Sequence, residues 1–330
     1  METMVAVTGA SGRLGNVLVR ALEQRGCTVR ALVEPGVDSP PSLADTGAVR
    51  VPGSVTDRAA VDALVDGAAV VYHLAARVQL GPDRDGAIHA VNVGGTRHVM
   101  DACRRTGARL VHTSSHAALD RRPLSEPLDE GRPLALDNPC AYHRSKAEAE
   151  AGVLQASANG LDAVVVCPGT VVGPHDYGPS LIGRVMLDLY HGRVPALMEA
   201  TSDYVDARDV AEGMIAAAQH GRRGERYLLT GEVLDIEGMA SLLGTVTGRP
   251  MPRMVLPMWV GWALMPLENL HARVTRRDPL FTPGMLRSGV SNREVLHTKA
   301  ARELGFAPRP ARDAVTDAFA WFDAQGWLTS

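Results

Sequence analysis

A glycine-rich turn directly after the first apolar run narrows most strongly what this chain can fold into. The turn follows the run Val5–Thr8 and opens the amphipathic segment Leu14–Arg25. Its first glycine permits a tight turn, its second lets the backbone approach a pyrophosphate, and its third lets helix and strand pack closely. The helix start then offers free N–H groups to phosphates. The sequence therefore predicts a dinucleotide-binding turn formed by Gly9, Ser11, Gly12, Arg13, Leu14 and Gly15, with a ligand-free turn as the alternative.

Short β-branched runs alternate with amphipathic segments through the first 170 residues. Apolar strands that alternate with helices are typical of a parallel sheet covered on both faces, the doubly wound α/β class. We predict strands at Val5–Thr8, Thr28–Val33, Val49–Val51, Ala69–Leu74, Arg109–Ser114 and Ala163–Cys167. We predict helices at Leu14–Arg25, Arg58–Val65, Ile88–Thr106 and Ala141–Ala158. The fold prediction is a Rossmann-type sheet with a smaller, mostly helical C-terminal lobe that binds the substrate.

The pattern loosens after Cys167, which suggests a division of the chain. We assign residues 1–170 to the dinucleotide-binding domain, with roughly 203–222 returning to it. Residues 171–202 and 223–330 are assigned to the substrate lobe. The Pro-rich stretch Arg121–Pro139 precedes a predicted helix and is long enough to cover a site as a lid.

Composition limits the partners and the compartment. The chain has 330 residues, 45% of them apolar and 22% charged, which is typical of a soluble globular protein. Its formal net charge of −3 gives no electrostatic reason to expect nucleic acid. The four cysteines show no metal-ligand spacing, so we predict no metal and a reducing compartment. With no signal peptide before the first strand, we expect a cytoplasmic protein that acts on a small molecule.

One segment is almost wholly apolar. Residues 254–267 (MVLPMWVGWALMPL) contain two prolines and are too few to span a bilayer, so we predict no integral membrane segment. A buried helix or a wall of the substrate pocket is the favoured interpretation, and loose membrane contact is the alternative.

The residue after the second strand bears on cofactor choice. Glu34 is expected beside the adenosine ribose, where a carboxylate bonds the hydroxyls and repels a 2′-phosphate. This favours NAD (NADH) over NADP. NADP stays possible, because Arg13 could supply a compensating charge and Glu34 could be a solvated loop residue.

Tyr142 and Lys146 are four residues apart and share one face of a predicted helix. A phenol with a pKa near 10 is a poor acid or base at pH 7, and a neighbouring cation lowers that pKa. Ser115 follows the fifth strand, at the edge where parallel sheets bind ligands. The three side chains are therefore predicted to meet at one site.

The glycine turn, Ser115 and the Tyr142–Lys146 pair occur in an order that resembles the extended short-chain dehydrogenase/reductases, the NAD-dependent epimerase/dehydratase family. Further segments carry the resemblance almost end to end: His73-Leu74-Ala75-Ala76, Val91-Asn92-Val93-Gly94-Gly95-Thr96, Pro168-Gly169-Thr170-Val171-Val172-Gly173-Pro174, Tyr204-Val205-Asp206-Ala207-Arg208-Asp209-Val210-Ala211 and Lys299-Ala300-Ala301-Arg302-Glu303-Leu304-Gly305.

The resemblance implies roles for particular residues. Tyr142 is expected to exchange a proton with the substrate oxygen, Lys146 to bond the nicotinamide ribose and lower the tyrosine pKa, and Ser115 to hold the reacting oxygen. Further cofactor contacts are expected from Ser54, Val55, Leu74, Ala75, Ala76, Asn92, Thr113, Pro168, Gly169 and Thr170. The resemblance also implies a possible homodimer through the helices that include Ile88–Thr106 and Ala141–Ala158.

Two motifs typical of sugar-nucleotide enzymes of this family are absent from the sequence, which limits the branch that it resembles. Sugar-nucleotide dehydratases carry Thr-Asp-Glu just after the strand-end serine, whereas His116 and Ala117 follow Ser115 here. Sugar-nucleotide epimerases usually have an asparagine where this chain has Gly169-Thr170. The chain looks closer to dihydroflavonol reductase and 3β-hydroxysteroid dehydrogenase relatives, which implies a ketone and secondary alcohol pair on a small, largely apolar substrate. His116 and His175 are further candidate substrate contacts.

Two other functions stay open at this point. A sugar or nucleotide-sugar epimerase is the first alternative, because the chain also resembles hopanoid-associated sugar epimerases. A dinucleotide-sensing regulatory protein without turnover is the second, although such relatives typically lack the tyrosine or the lysine.

Overall fold

The computed structural model describes residues 3–36, 40–81, 83–265, 286 and 289–329. Its largest element is a seven-stranded parallel sheet in the order β10-β6-β5-β4-β1-β2-β3. The strands are β1 Met4–Thr8, β2 Thr28–Val33, β3 Val49–Pro52, β4 Val70–His73, β5 Arg109–Thr113, β6 Ala163–Pro168 and β10 Arg226–Leu229. The predicted doubly wound α/β fold is confirmed.

Helices cover both faces of this sheet, which explains why its central strands are apolar on both sides. Every residue of β6 is buried, as expected for a strand covered on both faces. One core contains α1 (Gly15–Glu23) and α7 (Ala207–His220). The opposite core contains α2 (Arg58–Val65), α4 (Thr96–Thr106) and α5 (Ala141–Ala158). The short helix α3 (Ala87–His89) reaches α4 through a π-helical turn, Ala90–Gly95.

A smaller lobe has its own apolar core between two short sheets and three helices. One sheet contains β7 (Thr170–Val172), β9 (Thr201–Asp206) and β11 (Glu232–Asp235), and the other contains β8 (Leu197–Met198) and β12 (Val255–Leu256). The helices are α6 (Leu181–Tyr190), α8 (Ile236–Thr247) and α10 (Ala311–Ala324), while α9 (Thr298–Leu304) packs against α7 and β10.

The predicted division of the chain is wrong at one strand. Residues 223–330 were assigned to the substrate lobe, yet β10 pairs with β6 as the edge strand of the main sheet. Conversely, β9 lies in the small sheet beside β7, although α7 directly after it returns to the main sheet. Strand pairing between segments distant in sequence determines both placements, and the local pattern does not encode it.

We expected the apolar segment 254–267 to be buried, but several of its described side chains are exposed. Residues 258–265 are helical, and Met254, Trp259 and Trp262 are 59%, 68% and 38% exposed. Residues 266 and 267 lie outside the described residues. Within the described part of the chain, no helix is long and apolar enough to cross a membrane.

Candidate active site

The glycine turn has the shape predicted for it. Gly9 has a φ of +68°, and a side-chain carbon added there would lie 2.6 Å from the backbone nitrogen of Ala75. A carbon added at Gly15 would lie 2.0 Å from the Gly9 carbonyl oxygen. Gly12 donates its backbone N–H to that same oxygen at 3.0 Å. The turn is therefore packed directly against the segment that follows β4. This packing brings together Gly9 and Ala75, two of the predicted cofactor contacts.

Arg13 is bound elsewhere than expected. Its guanidinium donates to the carbonyls of Gly173 and Pro174 at 2.8 and 2.6 Å, and Nε lies 3.7 Å from Asp176. The side chain thus ties the loop after β7 to the glycine turn. These contacts engage the guanidinium that was the alternative counter-charge for a 2′-phosphate.

His175 is held at the same end of the molecule. Its ring packs against Trp321 and Tyr177, with ring centroids 4.7 and 6.1 Å apart, and its carbonyl accepts from the Asn16 side chain at 3.2 Å. These contacts belong to α1 and α10 rather than to the surroundings of Ser115. The structure therefore does not support His175 as a substrate contact.

Glu34 and Ser54 follow neighbouring strands of the sheet. Glu34 comes directly after β2 and is exposed, so its carboxylate is accessible at the carboxyl edge of the sheet. The Ser54 hydroxyl accepts from the Thr56 hydroxyl at 3.0 Å. Val55 is buried against Gly95, where an added side-chain carbon would lie 2.8 Å from it.

Ser115 and Tyr142 meet across the gap between β5 and α5. Ser115 caps the short turn His116–Ala118 and accepts from the Ala117 N–H at 3.2 Å. Burial raises the pKa of Tyr142 to about 12, and a hydrogen bond with the Ser115 side chain opposes this rise. The phenol is therefore protonated at neutral pH and can donate to an oxygen held between the two hydroxyls.

Lys146 lies one helical turn further along α5 and is buried. Its Nζ donates to the Thr113 carbonyl at 2.6 Å. Burial lowers the pKa of Lys146 to about 8, and Cys167 and Glu150 oppose this lowering. The predicted lowering of the Tyr142 pKa by Lys146 is not seen in this geometry, because burial dominates the phenol and the ammonium is engaged with β5.

Asn92 fastens the π-helical turn to the helix that carries Tyr142. Its Nδ2 donates to the Ser145 hydroxyl at 2.8 Å, and that hydroxyl donates to the Tyr142 carbonyl at 2.8 Å. Its Oδ1 accepts from the Arg77 N–H at 2.7 Å. The side chain therefore positions α5 against the loop after β4.

His73 links the glycine turn to α4 and was not predicted as a site residue. Its Nδ1 lies 2.7 Å from the Thr8 hydroxyl, and its Nε2 lies 2.9 Å from the Thr96 hydroxyl. Burial lowers the pKa of His73 to about 3, and Lys146 acts in the same direction. The ring is therefore neutral, and its contacts join the end of β1 to the start of α4. The motif His73-Leu74-Ala75-Ala76, one of the segments that carry the family resemblance, was the signal that marked this position.

A second residue missed by the sequence analysis, Asp203, lies beside His116. Their Oδ1 and Nδ1 atoms are 2.8 Å apart, and the Asp203 side chain is fully buried. A side-chain carbon added at Gly169 would lie 1.8 Å from Asp203 Oδ2, so only glycine fits there. This pair connects the residue after Ser115 to the backbone after β6. Asp203 comes directly before the quoted motif that begins at Tyr204.

The arrangement fits a dinucleotide. The glycine turn leaves no space for side chains where helix and strand meet, the exposed Glu34 carboxylate stands one strand away, and the Ser115–Tyr142 pair follows β5 at the same edge. In the described ranges, no group of three or more His, Cys, Asp or Glu side chains could hold a metal ion.

This fold and site define an NAD(P)-dependent oxidoreductase of the extended short-chain dehydrogenase/reductase type. The model of the NAD dependent epimerase/dehydratase family matches residues 5–230. The chain belongs to that family, as predicted.

Known proteins similar to this chain include reductases. It is 37% identical to sterol demethylase protein B of Methylococcus capsulatus, over 98% of this chain and 99% of that protein. It is 33% identical to the 4-hydroxy-2-methyl-3-oxo-4-farnesyl-3,4-dihydroquinoline-1-oxide ketoreductase of Stigmatella aurantiaca, over 94% of each. The crystal structure of gox2253 is similar with a TM-score of 0.86 and 33% identity over 99% of each chain.

Proposed function

We propose that this protein interconverts a ketone and a secondary alcohol on a small, largely apolar substrate with NAD(H). The observation that carries the proposal is the placement of Ser115 directly after β5 and of Tyr142 at the start of α5, with buried Lys146 one turn further, at the edge of the sheet that also carries the glycine turn. Two hydroxyls at one point can hold and polarise a single carbonyl oxygen.

Each catalytic side chain has a distinct task. In ketone reduction, Tyr142 donates its proton to the substrate oxygen, for which a pKa of about 12 keeps the phenol protonated at neutral pH. Ser115 holds that oxygen in place, and the buried Lys146 ammonium, one helical turn from Tyr142, would bond the nicotinamide ribose. The bound nicotinamide supplies or accepts the hydride. In alcohol oxidation the proton moves in the opposite direction.

Two features support NAD over NADP. The exposed carboxylate of Glu34 disfavours a 2′-phosphate at the end of β2. The guanidinium of Arg13, the candidate counter-charge, is held by the carbonyls of Gly173 and Pro174.

The residues after Ser115 support a reaction that does not include elimination of water. His116 and Ala117 follow it, and neither supplies the carboxylates that such an elimination uses. We assign to His116 a contact with a polar group of the substrate, with the buried Asp203 carboxylate 2.8 Å from its Nδ1 as the neighbouring charge. The relatives named as a ketoreductase and a sterol demethylase protein support a ketone or alcohol on an apolar carbon framework.

An epimerase is the second candidate, favoured by the name of the family whose model matches. Purified protein is mixed with NADH and a panel of cyclic and aryl ketones, and separately with NAD and UDP- or GDP-sugars. We expect ketones to drive net loss of NADH absorbance. A new sugar product without net change in cofactor would overturn the proposal in favour of epimerisation. Cofactor binding with turnover in neither panel would favour a dinucleotide sensor.

A further inference from the structure

A buried carboxylate, Glu150, lies one helical turn beyond Lys146 on α5 and has no part in the chemistry proposed above. Its side chain is 0% exposed. Tyr142, Lys146 and Glu150 are spaced i, i+4 and i+8, so they share one face of the helix. Because an ionised carboxylate in an apolar interior is costly unless it is compensated, its partners determine what it does there.

Three side chains from different elements surround this carboxylate. Ser114 Oγ donates to Oε2 at 2.5 Å, and Nε of Arg226 on β10 lies 2.7 Å from Oε1. Cys167 Sγ on β6 lies 3.8 Å from Oε2. Burial raises the pKa of Glu150, whereas Arg226 and Ser114 oppose that rise by favouring the ionised form. Arg226 and Ser114 are thus the neighbours that favour the ionised form of this carboxylate.

Glu150 is the carboxylate that opposes the effect of burial on Lys146. Within the part of the chain that the structure describes, Lys146 forms no ion pair, and its Nζ donates to a backbone carbonyl. The negative charges of Cys167 and of Glu150 would both oppose the effect of burial on Lys146. Burial raises the pKa of the Cys167 thiol well above its ordinary value, so the thiol is neutral at working pH. Glu150 is the anion that remains.

We propose that Glu150 is a positioning residue of the active site, whose carboxylate, fixed by Arg226 and Ser114, keeps Lys146 in its ammonium form. The inference rests on the proposed function only in that Lys146 there would bond the cofactor. Other titratable groups face Lys146 as well. His73 on β4 and His112 on β5 are neutral because burial lowers the pKa of both. The competing interpretation is that Glu150 and Arg226 merely fasten α5 to β10.

Only two lysines, Lys146 and Lys299, occur in the chain, which allows a direct test without any substrate. Protein labelled with 13C-lysine gives two side-chain Cε resonances, which the Lys299→Arg variant assigns. In the wild type we expect the Lys146 resonance to titrate near pH 8. In Glu150→Gln we expect its midpoint to fall by about one pH unit, because a nearby opposite charge has been removed.

Glu148→Gln is the matched control, since it makes the same change on the same helix at a half-buried position. We expect it to leave the Lys146 midpoint in place. If Glu150→Gln does not fold, Ser114→Ala keeps the carboxylate but removes the donor at 2.5 Å. That variant is expected to shift the midpoint in the same direction by a smaller amount. An unchanged midpoint in whichever variant folds would overturn the proposal.

The pH profile of turnover then connects the charge to catalysis. If the ammonium form is the active one, the alkaline limb of the profile moves to lower pH in Glu150→Gln by the same amount as the resonance. A shifted resonance with an unmoved limb would contradict the positioning role. Absence of turnover in the wild type, with the resonance still shifted, would refute the proposed function alone.

Discussion

Replacing Lys146 with methionine is expected to stabilise the fold while it abolishes turnover. The ammonium is buried, and burial lowers its pKa from an ordinary value of 10.5 to about 8. At 1.36 kcal/mol per pH unit, keeping this charge inside the native protein at pH 7 costs about 3 kcal/mol. Loss of the hydrogen bond to the Thr113 carbonyl offsets about 1–2 kcal/mol. We therefore expect the variant to gain about 1–2 kcal/mol at pH 7, since methionine fits the same space.

The pH dependence gives a sharper signature than the size of the gain. Native Lys146 releases its proton near pH 8, whereas the unfolded chain holds it until about pH 10.5. Between these values the unfolded state binds more protons, so wild-type stability rises with pH relative to the variant. The advantage of Lys146→Met should therefore shrink by about 2 kcal/mol between pH 7 and pH 10.

Urea denaturation of both proteins across this pH range measures the difference in the free energy of unfolding. Lys299→Met is the matched control, because Lys299 Nζ pairs with Glu225 at 2.7 Å and donates to the Arg226 carbonyl. We expect this control to gain nothing. If Lys146→Met is less stable than the wild type by the same amount at every pH, the assigned cost of the buried ammonium is refuted.

Two other substitutions test the cofactor and substrate ends of the site. Glu34→Arg should weaken NADH binding and strengthen NADPH binding, because the exposed carboxylate at the end of β2 is replaced by a cation; unchanged affinities in fluorescence titrations would count against the NAD assignment. Asp203→Asn should lower kcat/KM with little effect on NADH affinity, since the buried carboxylate 2.8 Å from His116 Nδ1 loses its charge. If the Asp203→Asn variant converts the ketone with the kcat/KM of the wild type, the assignment of His116 to the substrate site is contradicted.

The sheet was predictable where strands follow from local composition. The runs of valine and other apolar residues in β1, β2, β5 and β6 identify strands buried on both faces, and the glycine turn identifies the first β–α connection. The place of β10 was not predictable in this way. The run Glu225–Leu229 indicates a strand, but its pairing with β6 joins segments about sixty residues apart, which periodicity does not encode.

In the candidate site, too, features placed by a single helix or strand were predictable, whereas contacts between distant segments were not. Tyr142, Lys146 and Ser115 could be predicted as site residues because the first two share one helix and the third directly follows one strand. The contact of Arg13 with Gly173 and Pro174 spans about 160 residues, and no local pattern reveals it. The pKa of Tyr142 also could not be predicted from the sequence. The spacing of Tyr142 and Lys146 suggested a lowered phenol pKa, whereas burial, a property of the whole fold, raises it.

The most direct test of the central claim is the rate of hydride transfer in a Tyr142→Phe variant. Wild type and variant are saturated with NADH, mixed in a stopped-flow instrument with a ketone from the screen above, and followed at the NADH absorbance. Tyr177→Phe, which changes a tyrosine on the loop beside the glycine turn, is the matched control. We expect Tyr142→Phe to bind NADH as the wild type does and to transfer hydride about 10²–10⁴-fold more slowly, because the proton donor is gone. Hydride transfer at the wild-type rate would contradict the proposed role of Tyr142.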